Sequence, residues 1–156
     1  MAQKGISNEP QLSAEFGEAL VAYLLAREGV EVIRGPTMGF DLFAIDRQGR
    51  IFQSKDKLIG ISVKTRLLKR KQYYSSTVPI DSKKVFKARE IWNVEAWLAL
   101  VVGNVGYSLT VLLLPYTKYN NFRGRAKRED VVSVSALEND TTGTTRILLR
   151  EPWEKF

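Results

Sequence analysis

The sequence predicts an α/β fold in which a mixed central β-sheet is flanked by helices. Three features of the chain lead to this prediction. A segment with helical periodicity near the N-terminus is followed by several short apolar runs of strand length, and a second helical segment then precedes two longer apolar runs. Helices and strands in this order are typical of a sheet covered by helices. The 156 residues are expected to form a single domain, 1–156.

The composition of the chain limits the chemistry that the protein can perform. The sequence contains no cysteine and no histidine, which excludes thiol chemistry, Ser-His-Asp triads and ordinary zinc sites. Catalysis would therefore depend on carboxylates, lysine, arginine, tyrosine or hydroxyl groups. The net charge of +7 favours a polyanionic partner. No apolar stretch is long enough to span a membrane and no signal peptide is visible, so we expect a cytoplasmic protein without a membrane partner.

The first helix is predicted to begin near residues 8–11, where a capping asparagine precedes an acidic residue and a proline. Gly29 is expected to end it, because glycine often follows the last turn of a helix. Apolar side chains in this span recur at helical spacing and are predicted to face the core. These side chains are Phe16, Leu20, Tyr23 and Leu24. Glu18 is predicted to lie toward another side of the helix.

Three strands are predicted after the first helix. Residues 30–33 form a short strand-like run. Residues 40–45 and 58–66 form two further runs with a glycine-containing turn between them, which is typical of a hairpin. Each of these two runs contains a charged residue, Asp41 and Lys64. Charges inside a sheet are costly unless they are paired or bound to a ligand, so we expect the functional site at this hairpin.

The second half of the chain is predicted to contain a helix and four more strands. The helix begins near residues 79–82. Along one side it carries Val85, Phe86, Arg89 and Trp92. Residues 96–102 and 107–114 are strongly apolar and predict a central hairpin. Residues 131–134 and 146–149 are expected to add edge strands.

Basic residues are concentrated in two segments and at the start of the second helix. Residues 69–71 follow the first hairpin, and residues 120–128 are a basic loop that we expect to be mobile. The helix dipole disfavours lysines in a first turn, so phosphate binding would explain those of the second helix; a solvated helix face is the alternative. We predict phosphate contacts from Lys69, Arg70, Lys71, Lys83, Lys84, Arg123, Arg125, Lys127 and Arg128.

The order of the candidate site residues resembles a known family. Gly17-Glu18 lies on the first helix, Asp41 opens a strand, and Ser62-Val63-Lys64 ends the next strand. This order is similar to that of the PD-(D/E)xK nuclease superfamily, especially its small homing-endonuclease and archaeal Holliday-junction-resolvase branches. The resemblance implies a restriction-endonuclease-like core. It also implies a metal-dependent DNA endonuclease, acting on branched or specifically recognised duplex as a homodimer or higher homo-oligomer.

The resemblance further implies a role for each residue. Glu18, Asp41 and the backbone of Val63 would hold Mg²⁺ or Mn²⁺, and the catalytic set would be Glu18, Asp41, Ser62 and Lys64. The chemistry is consistent with these roles, because a hard divalent ion held by oxygen ligands activates water for phosphodiester hydrolysis. A nearby lysine can orient that water or accept its proton. Strand alternation predicts that Ser62 and Lys64 share one face while Val63 points away.

Ser62 departs from the family pattern, which has an acidic residue or glutamine at this position. Three interpretations remain open: the site works with fewer carboxylates, another residue supplies the missing ligand, or the site is inactive. The candidates for a replacement ligand are Asp46, Gln53 and Asp56. An inactive chain would be a non-catalytic nucleic-acid-binding or assembly protein on the same fold. Each residue also has a structural interpretation, for example Asp41 as an acceptor for backbone N–H groups at a strand start.

Overall fold

The computed structural model describes residues 9–35, 39–68, 76–104, 108–124 and 130–152. Within these ranges the elements are, in chain order, α1 (Glu9–Arg27), β1 (Glu31–Arg34), β2 (Leu42–Ile45), β3 (Leu58–Leu68), β4 (Thr77–Pro79), α2 (Ser82–Trp92), β5 (Glu95–Asn104), β6 (Ser108–Pro115), a 3₁₀ helix (Tyr116–Phe122), β7 (Val131–Ser133), α3 (Val134–Glu138) and β8 (Arg146–Pro152). None of the helices in the described ranges is both long and apolar enough to cross a membrane.

The main sheet has six strands in the order β1-β2-β3-β5-β6-β8. The strand β3 lies inside the sheet and pairs antiparallel with β2 on one side and parallel with β5 on the other. The other neighbouring strands are antiparallel. The sheet is therefore mixed, as predicted, and both predicted hairpins, β2–β3 and β5–β6, are confirmed.

The two faces of the main sheet are covered by different helices. Successive side chains of a strand point to opposite faces. On one face, Ile61 and Val63 of β3 pack in an apolar cluster with Val21 of α1. On the other face, Leu68 of β3 packs in a second cluster with Val85 of α2. We call these the α1 face and the α2 face, and together they confirm a sheet flanked by helices.

The inner side of α1 differs from the predicted one. Leu24 is buried as predicted, but Phe16 and Tyr23 are 48% and 63% exposed. Val21 and Leu25 are fully buried instead. Apolar side chains occur on several sides of this helix, so their spacing alone did not identify the side that packs against the sheet.

The end of α1 was predicted correctly. Gly29 has a positive φ of 83° directly after the last turn, and its N–H donates to the carbonyl of Ala26 at 3.0 Å. Glycine adopts this backbone conformation without strain. The predicted capping residue Asn8 lies outside the described residues.

The inner side of α2 was predicted in part. Val85 is buried, and the ring of Trp92 packs edge-on against Phe43 with centroids 5.1 Å apart. Phe86, however, is 50% exposed. The guanidinium of Arg89 lies over its ring, 5.3 Å from the centroid, so Phe86 contacts a cation and not the core.

Two predictions for the last third of the chain are wrong. Residues 131–133 do not join the main sheet but pair with β4 in a separate two-stranded sheet. Residues 120–122 are not a mobile loop, because they belong to the 3₁₀ helix, in which Tyr119 and Phe122 are buried. Packing against the α2 face determines the conformation of both segments, and this packing cannot be predicted from local composition. The predicted edge strand at residues 146–149 is confirmed as part of β8.

Candidate active site

Asp41 lies directly before β2, where the regular backbone pairing of β2 with β3 ends. Its N–H donates to the carbonyl of Ile61 at 2.9 Å, and its carboxylate Oδ2 accepts the N–H of Val63 at 2.7 Å. The side chain thus replaces the backbone acceptor that a longer β2 would have offered to Val63. Asp41 is therefore an acceptor for a backbone N–H group, and this bond occupies one of its two carboxylate oxygens.

The backbone of Val63 also brings a carbonyl group to this edge of β3. In a strand, the N–H and C=O groups of one residue point to the same side. Because the N–H of Val63 points at Asp41, its carbonyl is directed toward the same edge. The side chain of Val63 is buried on the α1 face. Val63 can therefore present a backbone oxygen beside the Asp41 carboxylate, and a ligand role for it stays a prediction.

Glu18 reaches Asp41 from α1. Burial of its side chain raises the pKa of Glu18 above the ordinary value, and the Asp41 charge and a hydrogen bond between the two carboxyl groups raise it further. Two carboxylates in such close contact repel each other unless a proton or a cation lies between them. The helix therefore adds a second oxygen donor beside Asp41, from a side chain that is half-buried and not fully solvated.

Arg34 is a neighbour of this carboxyl pair that the sequence did not reveal. It is the last residue of β1 and pairs with Leu42, so its side chain lies on the α1 face. Its positive charge opposes the burial and the Asp41 charge that raise the pKa of Glu18. The strand predicted from the sequence ended at residue 33, and only the register with β2 places Arg34 near Glu18.

Ser62 and Lys64 lie on the α2 face, on either side of Val63 along β3. Ser62 is 4% exposed, whereas Lys64 is half-buried. Lys64 forms no salt bridge within the described part of the chain. Glu18 thus approaches Asp41 from the α1 face, and Asp41 binds the backbone of β3 at Val63. Lys64 lies on the opposite, α2 face of the same strand, and its part in the site stays a prediction.

Asp46 does not supply the missing acidic ligand, because it lies at the opposite end of β2 from Asp41. Its carboxylate Oδ2 accepts the N–H groups of Ile51 and Phe52 at 2.7 and 3.2 Å. Burial alone would raise the pKa of Asp46, but these backbone hydrogen bonds outweigh burial and lower it. Asp46 therefore stabilises the loop between β2 and β3.

The other two candidates for a replacement ligand lie in the same loop. Gln53 is exposed with a positive φ of 59°, and Asp56 has a carboxylate oxygen 3.7 Å from the guanidinium of Arg47. The interpretation that Asp46, Gln53 or Asp56 completes the site is therefore wrong. Among the described residues, no three acidic side chains gather into one cluster. The oxygen donors at the edge of β3 are the carboxyl groups of Glu18 and Asp41 and the Val63 backbone.

One of the predicted phosphate-binding lysines, Lys84, contacts the segment that leads to Asp41. Lys83 and Lys84 are exposed in the first turn of α2. The backbone of Lys84 packs on Gly39, where a Cβ atom would lie 2.8 Å from its carbonyl oxygen. The start of α2 thus contacts the segment that leads to Asp41. Arg123 is half-buried after the 3₁₀ helix. The other predicted residues, Lys69, Arg70, Lys71, Arg125, Lys127 and Arg128, lie outside the described ranges.

Comparison with known proteins identifies the fold. No family model matches the sequence, and no curated protein matches it. The structure is similar to that of Hjc, a Holliday junction resolvase from the archaeal hyperthermophile Archaeoglobus fulgidus, with a TM-score of 0.51. The similarity covers 78% of this chain and 89% of that chain at 16% sequence identity.

A second similar structure is a restriction endonuclease in complex with substrate DNA. It has 17% identity and a TM-score of 0.43, and the match covers 98% of this chain and 75% of that chain. At this TM-score it adds no argument of its own. The likeness to the resolvase confirms the mixed α/β, restriction-endonuclease-like fold that the PD-(D/E)xK resemblance implied.

Proposed function

Starting from a restriction-endonuclease-like fold, we propose that the chain is a divalent-metal-dependent endonuclease that hydrolyses phosphodiester bonds of DNA at branched or specific duplex sites. The observation that carries this proposal is the position of the Asp41 carboxylate, which accepts the N–H of Val63 at 2.7 Å and interacts with the carboxyl group of Glu18 on α1. The nuclease resemblance assigns the site to these three residues and Lys64, and this arrangement supports the proposal.

The donor set fits a hard divalent cation. Carboxylate and backbone carbonyl oxygens are the ligands that Mg²⁺ prefers, and Mg²⁺ keeps several waters in its coordination shell. Glu18, Asp41 and the Val63 carbonyl would hold Mg²⁺ or Mn²⁺ here. A cation would also relieve the repulsion that raises the pKa of Glu18. Ser62 is neutral, so it would take part through a water molecule or not at all.

Each residue has a defined task in this mechanism. The bound ion would supply an acidified water and neutralise charge that develops on the phosphate. Asp41 is held in one orientation by the Val63 N–H. Glu18 would close the site from α1, and Arg34 would add a positive charge near the phosphate. Lys64 would orient the attacking water or accept its proton.

The proposed partner is DNA, bound through phosphate contacts. The net charge of +7 favours a polyanion, and Lys83 and Lys84 lie at the helix start that packs on Gly39 near the site. We expect a homodimer or higher homo-oligomer, since a second site allows both strands of a duplex to be cut. A cytoplasmic location suits a chain without cysteine.

Cleavage assays test this proposal. The purified protein is incubated with linear, supercoiled and four-way-junction DNA, in Mn²⁺ and in EDTA. Cleavage is expected only in Mn²⁺, and Asp41→Asn is expected to abolish it. Cleavage that persists in EDTA, or that Asp41→Asn leaves at the wild-type rate, would overturn the proposal. If cleavage depends on Mn²⁺, the DNA form that is cut fastest identifies the substrate class.

A second candidate function is a non-catalytic nucleic-acid-binding or assembly protein. The neutral and buried Ser62 favours it, as does the lack of a cluster of three acidic side chains in the described ranges. Such a protein would bind DNA without cleaving it and would have no measurable affinity for Mn²⁺. Titration with Mn²⁺ therefore separates the two functions.

A further inference from the structure

At Gly17, the backbone of α1 comes very close to the sheet. A Cβ atom placed on Gly17 would lie only 1.8 Å from Oγ1 of Thr65 and 3.1 Å from Cβ of Thr65. The first distance is far below any contact between non-bonded heavy atoms. The backbone of α1 therefore rests directly on the side chain of Thr65 in β3.

Glycine is a poor choice for the interior of a helix. It is less favourable there than alanine by about 0.8–1 kcal/mol, and Gly17 lies well inside α1, which spans Glu9–Arg27. Helix propensity therefore does not account for this residue. The contact with Thr65 does, since no other residue type permits such a short distance between helix and strand.

This contact lies next to both halves of the candidate site. Glu18 is the next residue on α1, and Thr65 follows Lys64 on β3. Thr65 also lies two residues after Val63, on the same α1 face, and Val63 is the residue that binds the Asp41 carboxylate. The height of α1 above β3 at this point therefore sets how close the Glu18 carboxyl group comes to Asp41.

We propose that Gly17 and Thr65 are positioning residues, which hold α1 close enough to β3 for the Glu18 and Asp41 carboxyl groups to share one cation. This inference rests on the proposed function, because it assigns both carboxyl groups to a metal site. It adds two residues that do not touch the metal or the DNA.

The effect of a methyl group at residue 17 follows from the distances. Oγ1 of Thr65 would lie 1.8 Å from the new methyl group and Cγ2 3.5 Å from it, and a β-branched side chain has few other rotamers. The overlap with these two branches therefore pushes α1 outward, whereas the 3.1 Å contact with Cβ alone would need a shift of only a few tenths of an ångström. Because Glu18 is adjacent on the helix, its carboxyl group moves away from Asp41.

Removal of the Thr65 side chain beyond Cβ should relieve most of this conflict. Oγ1 of Thr65 is buried and forms no hydrogen bond to any described residue. Its loss therefore breaks no hydrogen bond within the described ranges. Thr65→Ala thus provides the background in which Gly17→Ala can be accommodated.

The test is a double-mutant cycle of wild type, Gly17→Ala, Thr65→Ala and the double variant. Mn²⁺ affinity is measured by calorimetry, and stability is measured by urea unfolding in EDTA. Loss of a residue that supports metal ligands typically costs about 10–100-fold in metal affinity, and we expect at least the lower value for Gly17→Ala. The effect of Gly17→Ala should be several-fold smaller in the Thr65→Ala background.

The outcomes separate this inference from the proposed function. If wild type does not bind Mn²⁺, the proposed function fails and the inference fails with it. If wild type binds Mn²⁺ and folded Gly17→Ala binds it equally well, the inference alone is overturned, and Gly17 has only a packing role. Equal losses from Gly17→Ala in both backgrounds would also overturn it, because the contact with Thr65 would then be irrelevant.

A milder variant covers the case in which Gly17→Ala does not fold. Thr65→Val replaces the hydroxyl group at the contact with a larger methyl group, while β3 keeps a β-branched residue that suits a strand. It should weaken Mn²⁺ binding by less than Gly17→Ala and leave urea unfolding in EDTA nearly unchanged. Wild-type Mn²⁺ affinity in Thr65→Val would overturn the inference.

Discussion

Asp41 and Asp46 lie at opposite ends of β2, and their hydrogen bonds give their carboxylates different roles. Asp46 is 2% exposed, and its Oδ2 accepts two backbone N–H groups of the following loop. Asp41 is half-buried and uses Oδ2 for a single N–H group, that of Val63. Substitution of each aspartate by asparagine, which keeps the shape and removes the charge, should therefore have opposite consequences.

Asp41→Asn should abolish Mn²⁺ binding and cleavage while it leaves the melting temperature in EDTA almost unchanged. An asparagine oxygen can still accept the Val63 N–H, whereas the charge that holds the ion is lost. The matched control is Asp46→Asn, which should keep Mn²⁺ affinity but lose about 1.5–3 kcal/mol of stability at neutral pH, since hydrogen bonds to a charged acceptor are replaced. If Asp41→Asn melts the protein and spares cleavage, Asp41 is structural and the site lies elsewhere.

Glu18→Gln should make the protein more stable in EDTA at neutral pH. The pKa of Glu18 in the folded protein is raised above its ordinary value of 4.5, so folding favours the protonated form. The stability that protonated Glu18 contributes is fully present below pH 4.5 and is lost as the pH rises through the pKa of Glu18 in the folded protein. Glutamine carries no charge, so the difference between the two proteins should vanish at acidic pH and grow toward neutral pH. Thermal melts across this pH range measure it, and an equal difference at every pH would exclude the carboxyl contact as its cause.

Ser62→Glu should couple stability to Mg²⁺. The new carboxylate would lie at a position that is 4% exposed, on the strand whose Val63 N–H binds Asp41. Without an ion, burial and like charge should destabilise the fold. Added Mg²⁺ should restore stability, because a ligand that binds only the folded form stabilises it by mass action. Melting temperatures in EDTA and in Mg²⁺ test this, and a variant that melts identically in both would mean that residue 62 does not face a metal.

At the level of elements, the sequence predicted strands and turns better than the packed sides of helices. The hairpins β2–β3 and β5–β6 were visible because, in each, a glycine-containing turn separates two apolar runs of strand length. The inner side of α1 was not visible, since Phe16 and Val21 are equally apolar and only the sheet decides between them. The same limit applies to β7, where a short apolar run joined the smaller sheet.

The packed side of α1 can be checked by two substitutions. Val21→Ala should destabilise the protein by about 2 kcal/mol, because it leaves a cavity at a fully buried position. Phe16→Ala should cost less than about 1 kcal/mol, since Phe16 is 48% exposed. Urea unfolding of both variants measures these values. A larger loss for Phe16→Ala would mean that its exposed ring is covered in solution.

At the level of the whole molecule, the candidate site was predictable in its parts and not in its arrangement. Asp41 and Lys64 were identified as charges in strands, and the family order added Glu18. Their positions relative to one another, on α1, before β2 and on β3, follow from the sheet register and the position of α1, which are properties of the tertiary fold. Arg34 and Thr65 were missed for the same reason. Each of them contacts or faces a residue that is distant in sequence, and only the folded chain shows this.

The arrangement of positive charge leads to a final prediction, on DNA binding. If Lys83 and Lys84 contact phosphates, their joint replacement by glutamine should lower the slope of log affinity against log salt by about 1.8, or 0.9 per lost contact on duplex DNA. The matched control is Lys55→Gln with Lys57→Gln, because both lysines are exposed in the loop after Asp46, at the far end of β2 from Asp41. Both double variants remove the same total charge, so general attraction to DNA falls equally in both. Fluorescence anisotropy with one duplex over a range of salt concentrations measures the two slopes. A specific interface at the start of α2 requires the larger change in the first variant, whereas equal changes would show that the net charge of the chain, and not this surface, attracts DNA.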